Sequence, residues 1–117
     1  MANLNLTIGC WDYDRVLGLM DGRVRPTGID VTFLNMIVEE TFFRMLRAQE
    51  FDVSELSMSS YVVSLFKPNR PFVAIPVFPS RFFRHSCIYV NADAGITKPA
   101  DLIGKRIGTP EYQMTAP

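Results

Sequence analysis

Apolar and polar residues alternate at the start of the chain, where Leu4, Leu6 and Ile8 occupy every second position. A period of two places these side chains on one face of a β-strand. Residues 29–34 are mostly β-branched or aromatic, which predicts a second strand. Residues 51–55 predict a third, shorter strand.

Further strands are predicted in the second half of the chain. Residues 72–77 form a nearly continuous apolar run, which is typical of a strand buried on both faces. Residues 85–91 and 106–108 are also predicted to be strands.

Segments with helical spacing separate these strands. Residues 12–20 carry apolar side chains on one helix face, and Asp12 or Asp14 is predicted to cap the N-terminus. Residues 39–50 place acidic side chains in the first turn and arginines later, an order that suits the helix dipole.

Two more helices are predicted, one over residues 57–66, ending before Pro68, and a short one beginning at Asp101 and Leu102. Strands that alternate with helices indicate an α/β fold, in which crossover helices connect the strands of an open sheet.

The last residues predict an unfinished element. Thr109 and Pro110 suit the N-cap and the first position of another helix, yet the sequence stops soon after them. A strand at residues 106–108 would then have neither a crossover helix nor a neighbour. We therefore expect the chain to be the front part of a longer protein, and the alternative is a natural C-terminus that frays.

Composition narrows the class of protein. A chain of 117 residues has room for one domain at most. Its content of 48% hydrophobic and 21% charged residues is that of a globular protein. Twelve basic and twelve acidic residues cancel, so the chain has no electrostatic surface for a nucleic-acid backbone. No apolar run is long enough to span a membrane, and the N-terminus lacks the features of a signal peptide, so we expect a cytoplasmic protein.

The two cysteines, Cys10 and Cys87, are too few for a disulfide framework or a structural zinc site. Free, buried thiols are therefore favoured over a bridge.

Candidate chemistry lies where the predicted strands end. In an open α/β sheet, ligands bind beyond the carboxyl ends of the strands, where backbone amides and helix dipoles favour anions. Three segments fit this rule: residues 10–14, 55–59 and 109–115. Ser57, Ser59 and Thr115 offer hydroxyl donors there, although such residues at helix starts also serve simply as caps.

The segment PSRFFRHSC concentrates positive charge. Arg81 and Arg84 can bind carboxylates through paired hydrogen bonds, and His85 can carry a proton near neutral pH. In an extended segment Arg81 and His85 lie on one face and Arg84 on the other, so at most two share a site. The alternative is a solvated loop with surface arginines.

The carboxylates Asp12, Asp14 and Glu55 lie in or beside the same loops, and with His85 they have the chemistry of an oxygen-rich metal site. Structural capping is the favoured interpretation. No cofactor is predicted, a divalent metal is left open, and no nucleophile elbow, phosphate loop or dinucleotide motif occurs.

Four segments are distinctive: LTIGCWDYDRVLGLMDGRVRPTGID, VEETFFRMLRAQEFDVSELSMSSYV, RPFVAIPVFPSRFFRHSCIYVN and GITKPADLIGKRIGTPEYQMTA. Together, and in this order, they resemble the start of 4,5-dihydroxyphthalate decarboxylase-like proteins. FPSRFFRH and PEYQMTA are the most specific parts, whereas KPADLIGKRIG is similar to a segment of many solute-binding proteins.

The resemblance implies a fold similar to the type 2 periplasmic solute-binding proteins, whose two α/β lobes close on a ligand. Residues 1–90 would form the first lobe, and residues 91–117 the crossover and the start of the second. The facing half of the cleft would lie in the missing part, so this chain alone is expected to be inactive.

The resemblance also implies decarboxylation of a small aromatic dicarboxylate such as 4,5-dihydroxyphthalate. Loss of CO2 needs a proton delivered to the ring carbon, and His85 is the candidate donor by residue type. Arg81 is the candidate for binding the retained carboxylate. The other candidate substrate-binding residues are polar side chains of the predicted loops: Tyr13, Ser57, Ser59, Tyr112 and Thr115.

Two alternatives stay open. One is a solute-binding protein that captures a small molecule for an ABC-type transporter, and the other is a ligand sensor or precursor-synthesis protein of the same fold. The expected partner is a small aromatic carboxylate, and an exposed sheet edge leaves a homo-oligomer open.

Overall fold

Three parallel strands form a small open sheet. The computed structural model describes residues 2–81 and 87–109. In it β1 (Leu4–Cys10), β2 (Ile29–Asn35) and β3 (Val53–Ser54) lie in the order β2-β1-β3. Both neighbours of β1 run parallel to it. The predicted α/β class and the first three strands are confirmed, although β3 is shorter than predicted.

The crossovers between these strands are helical, as parallel pairing requires. A 3-10 turn at Asp14–Val16 and the short helix α1 (Leu17–Met20) connect β1 to β2. Helix α2 (Val38–Ala48) connects β2 to β3, and α3 (Met58–Ser64) follows β3. The two longer predicted helices are thus confirmed to within a few residues.

The predicted cap of the first helix is wrong. Tyr13, not Asp12 or Asp14, occupies the N-cap position, and no side chain caps that turn. The Asp14 carboxylate instead accepts a hydrogen bond from the adjacent Arg15 amide at 2.8 Å.

The core lies where α2 packs on the carboxyl half of β1 and on β3. Cys10, Phe42 and Phe51 are the buried apolar side chains of the described part. Thr41 is fully buried beside them and donates from Oγ1 to the carbonyl of Ile37 at 3.0 Å, so its hydroxyl is satisfied. Both cysteines are free as predicted, but Cys87 is exposed rather than buried.

The strand predicted over residues 72–77 is wrong. Val73 is 92% exposed, and the amide of Val77 donates to the carbonyl of Ile75 at 2.7 Å, a local turn rather than a sheet ladder. An apolar run predicts burial, but a strand also needs a neighbouring strand. None of the described strands pairs with this segment.

The rest of the second half is irregular where the structure describes it. Of the strand predicted over residues 85–91, residues 85 and 86 lie outside the described part, and residues 87–91 form no strand. Residues 106–108 form no strand either, and the predicted helix is a 3-10 turn at Pro99–Leu102. Asp101 lies inside that turn instead of beginning it, and it accepts a hydrogen bond from the Thr97 amide at 2.9 Å. No helix within residues 2–81 and 87–109 has both the length and the apolar character to cross a bilayer.

Candidate functional site

The carboxyl ends of the three strands meet at one edge of the sheet, because all pairs are parallel. The loop after β1 and the loop after β3 are therefore neighbours in space. Glu55, the residue that follows β3, joins them. This edge is where ligands bind in open α/β sheets.

The Glu55 carboxylate receives two hydrogen bonds from the loop after β1. The amide of Trp11 donates to Oε1 at 2.7 Å, and the hydroxyl of Tyr13 donates to Oε2 at 3.0 Å. We call this arrangement the Glu55 clamp. It holds the loop that carries Tyr13 against the end of β3.

Burial shapes the acid–base chemistry of the clamp. Desolvation raises the pKa of Glu55, while the bonds from Trp11 and Tyr13 oppose that rise. Burial and the nearby Glu55 charge raise the pKa of Tyr13 to about 12. The same two causes raise the pKa of Cys10 to about 12. Tyr13 and Cys10 therefore both keep their protons at neutral pH.

An open groove of about 540 Å³ lies beside the clamp, with arginines at its rim. Arg15 and Arg81 supply the positive charge. The other lining residues are apolar: Val16, Pro76, Val77, Phe78 and Pro79. Guanidinium donors beside an apolar wall suit a ligand that combines a carboxylate with an aromatic ring.

Arg15 fastens the two sides of the groove together. Its Nη1 donates to the carbonyl of Pro79, and its Nη2 lies 3.1 Å from Oδ1 of Asp14. Arg81 stacks near the ring of Phe78, with 6.0 Å between the guanidinium carbon and the ring centroid. Arg81 is exposed and faces solvent at the groove.

The groove and the clamp are contiguous. The guanidinium carbon of Arg15 lies 5.9 Å from the centroid of the Tyr13 ring. Arg15 itself lines the groove. Tyr13 therefore connects the carboxylate of Glu55 to the arginine-lined groove.

The structure brings some of the predicted site residues together. Arg81 lines the groove together with Arg15, and Arg15 lies 5.9 Å from the ring centroid of Tyr13. Ser57 occupies the N-cap position of α3 but does not cap it, and its hydroxyl lies 2.8 Å from that of Ser59. The structure places both serines just after Glu55. His85, Tyr112 and Thr115 fall outside the described residues, as does Arg84.

Sequence reasoning missed two residues. Arg15 was not singled out, although it follows a predicted ligand-binding loop directly. Glu55 was predicted to lie in a ligand-binding segment and to serve as a cap or a metal ligand, but its pairing with Tyr13, 42 positions away in the chain, was not predicted. A signal was present, since Glu55 lies in a segment at the carboxyl end of a predicted strand and Arg15 directly follows another such segment. Across residues 2–81 and 87–109, no three His, Cys, Asp or Glu side chains cluster as metal ligands.

The fold and the edge site define an α/β domain of the open-sheet type, with arginines and a carboxylate where such sheets bind ligands. The chain is 53% identical to a 4,5-dihydroxyphthalate decarboxylase of Comamonas testosteroni over 99% of its length, and covers 35% of that protein. It is 50% identical to a 4,5-dihydroxyphthalate decarboxylase of Pseudomonas putida, again over 99% of the chain and 45% of that protein. No protein-family profile matches the chain.

These comparisons confirm the resemblance that the sequence motifs predicted. The chain spans 35% and 45% of the length of these two relatives.

Proposed function

We propose that the longer protein to which this chain corresponds removes one carboxylate of 4,5-dihydroxyphthalate as CO2. The observation that carries the proposal is the identity of 53% and 50% to two proteins of that name, spread over 99% of the chain. The matched segment, 116 residues long, spans the groove, the clamp and the segment with His85.

The geometry of the groove supports this substrate class. The two carboxylates of 4,5-dihydroxyphthalate are adjacent on the ring and lie opposite its two hydroxyls. Arg15 and Arg81 offer donors to a carboxylate, and the apolar side chains beside them suit the ring. A carboxylate held by guanidinium groups stays ionised, while a departing carboxylate leaves more readily from a less polar region.

The chemistry assigns each candidate residue a task. His85 donates the proton that replaces CO2 on the ring carbon, because its pKa is ordinarily close to the working pH. Arg81 binds the retained carboxylate. Tyr13, Ser57, Ser59, Tyr112 and Thr115 orient the ring hydroxyls. The facing wall of the site comes from the part of the relatives beyond the matched segment, in a second lobe like that of the type 2 periplasmic solute-binding proteins.

The test uses the longest open reading frame that contains this chain. Purified protein is mixed with 4,5-dihydroxyphthalate, with and without a divalent metal, and CO2 release is followed together with substrate loss. We expect turnover in the wild type and a loss of about 10²–10⁴-fold in His85→Ala, the range for a general acid. Full turnover in His85→Ala would overturn the proton-donor role.

A second outcome would change the class of protein. If the wild type releases no CO2 but the substrate raises its melting temperature, the protein is a solute-binding protein instead. Neither turnover nor stabilisation would overturn the proposed substrate.

A further inference from the structure

The bond between Tyr13 and Glu55 restricts what the Tyr13 oxygen can do. A phenol has one proton to donate and lone pairs that accept. The structure assigns that proton to Oε2 of Glu55, at 3.0 Å. The phenol oxygen therefore has only lone pairs left for other partners.

Such an oxygen selects its ligand group. It accepts a hydrogen bond from a hydroxyl, but it offers no proton to a carboxylate, whose charge the nearby Glu55 also repels. The guanidinium groups of Arg15 and Arg81 have the opposite character, because arginine only donates. The site therefore has an accepting end at Tyr13 and a donating end at the arginines.

We infer that Glu55 is a positioning residue that fixes the orientation of an aromatic substrate: it directs a ring hydroxyl to Tyr13 and a carboxylate to Arg15 and Arg81. The inference rests on the proposed function. The contact between Tyr13 and a ring hydroxyl would distinguish a dihydroxylated substrate from one without hydroxyls. Glu55 acts through Tyr13, since its carboxylate is already occupied by the Tyr13 hydroxyl and the Trp11 amide.

The variant Glu55→Gln reverses the hydrogen bond while keeping the shape. The Trp11 amide needs an acceptor, and its 2.7 Å bond would hold the amide oxygen of the new side chain. The NH2 group would then face Tyr13 and donate to the phenol oxygen, which releases the phenol proton toward the ligand. Tyr13 thereby changes from an acceptor, which suits a hydroxyl only, to a donor, which suits a carboxylate as well. Tyr13→Phe removes the oxygen altogether.

The experiment measures KM and Kd in the full-length protein for 4,5-dihydroxyphthalate and for phthalate, which lacks the hydroxyls. Both variants, their double mutant and Glu39→Gln are compared, since Glu39 is an exposed glutamate on α2 and serves as a matched control. We expect Glu55→Gln to lower the ratio of the two affinities, dihydroxylated compound over phthalate, by about tenfold, as for one hydrogen bond, because a donating Tyr13 no longer favours a hydroxyl over a carboxylate. The double mutant should bind no worse than the weaker single variant, because both act on one contact.

A second readout does not depend on substrate. Ultraviolet difference titration follows ionisation of Tyr13, which is assigned by its absence in Tyr13→Phe. We expect the ionisation to move to lower pH in Glu55→Gln, since the carboxylate charge that opposes it is gone. Ionisation of Tyr13 at the same pH in the wild type and in Glu55→Gln would show that the Glu55 clamp does not form in solution.

Equal losses for both compounds in Glu55→Gln would overturn the orientation role and leave a structural one. Additive losses in the double mutant would also overturn it, because Glu55 would then act without Tyr13. A wild type that neither binds nor converts 4,5-dihydroxyphthalate overturns the proposed function itself. The two failures are thus distinguished by the behaviour of the wild type.

Discussion

The backbone of Gly9 packs so closely against Phe51 that a Cβ at residue 9 would lie 2.9 Å from Cδ2 of the ring. The next ring atom, Cε2, would lie at 3.1 Å. Phe51 is itself buried, so the ring has little room to move away. The absence of a side chain at residue 9 lets Phe51 cover the centre of the sheet.

We therefore predict that Gly9→Ala lowers the free energy of unfolding by about 1–3 kcal/mol, the usual cost of overpacking a core. Urea denaturation of the full-length protein measures it. Gly108→Ala is the matched control, since a Cβ there meets no atom within 4 Å. Equal stability of the two variants would contradict the packing argument.

Gln49 ends α2 in a left-handed conformation, with φ at 51°. A side chain at this φ costs about 1 kcal/mol, which glycine avoids. We predict that Gln49→Gly raises the melting temperature, whereas Gln49→Ala does not, because alanine keeps the Cβ. Differential scanning calorimetry on both variants checks it, and a gain in the alanine variant would point to another cause.

Glu55 is expected to cost stability at neutral pH, because burial raises its pKa above the ordinary value of 4.5. The folded state then binds this proton more tightly than the unfolded state does, so the free energy of unfolding of the wild type falls as pH rises through 4.5. A variant without this carboxylate lacks that fall. We predict that Glu55→Gln, which resembles the protonated acid, gains melting temperature relative to the wild type between pH 4 and pH 7. A difference that stays constant over this range would show that the raised pKa has no effect on stability.

Cys10 and Cys87 should differ sharply in reactivity. Cys10 is buried, and its pKa is raised from 9.0 to about 12, whereas Cys87 is exposed. Because the thiolate is the nucleophile, we predict that iodoacetamide modifies Cys87 first in the native protein, as peptide mass spectrometry can measure.

Between pH 9 and 12 only the unfolded chain loses the Cys10 proton, so stability should fall with rising pH, and less so in Cys10→Ala.

The arginines of the groove are predicted to act on substrate binding. Arg81→Met and Arg15→Met should each raise KM for 4,5-dihydroxyphthalate by about 10–100-fold, the effect of losing a charged hydrogen-bonding partner. Arg47→Met is the control, because Arg47 is exposed in the last turn of α2. Steady-state kinetics decide it, and an unchanged KM in both groove variants would remove the arginines from the site.

Residue patterns within a single segment predicted the helices and strands that interactions within that segment determine. The alternation in β1, the β-branched residues of β2 and the charge order of α2 each describe one element, and all three were confirmed. The cap at Asp12 or Asp14 was wrong, because the carboxylate of Asp14 bonds the next amide instead of the helix end.

Long-range pairings were beyond the sequence. The prediction of a strand over residues 72–77 was wrong, because apolar residues do not indicate whether a neighbouring strand is present to pair with them. The contact between Tyr13 and Glu55 depends on β1 lying beside β3, and no spacing within either loop predicts it. Part of the predicted site, including His85, stays a prediction.

The strand order β2-β1-β3 has a consequence for synthesis. Of these three strands, β1 leaves the ribosome before the other two and lies in the middle of the sheet, and its neighbour β3, which contains Ser54, is synthesised only after both crossover segments. Until then β1 has an open edge, and the set of buried apolar side chains, Cys10, Phe42 and Phe51, is incomplete. The nascent chain therefore needs everything from Leu4 to Ser54 outside the exit tunnel before this core can close.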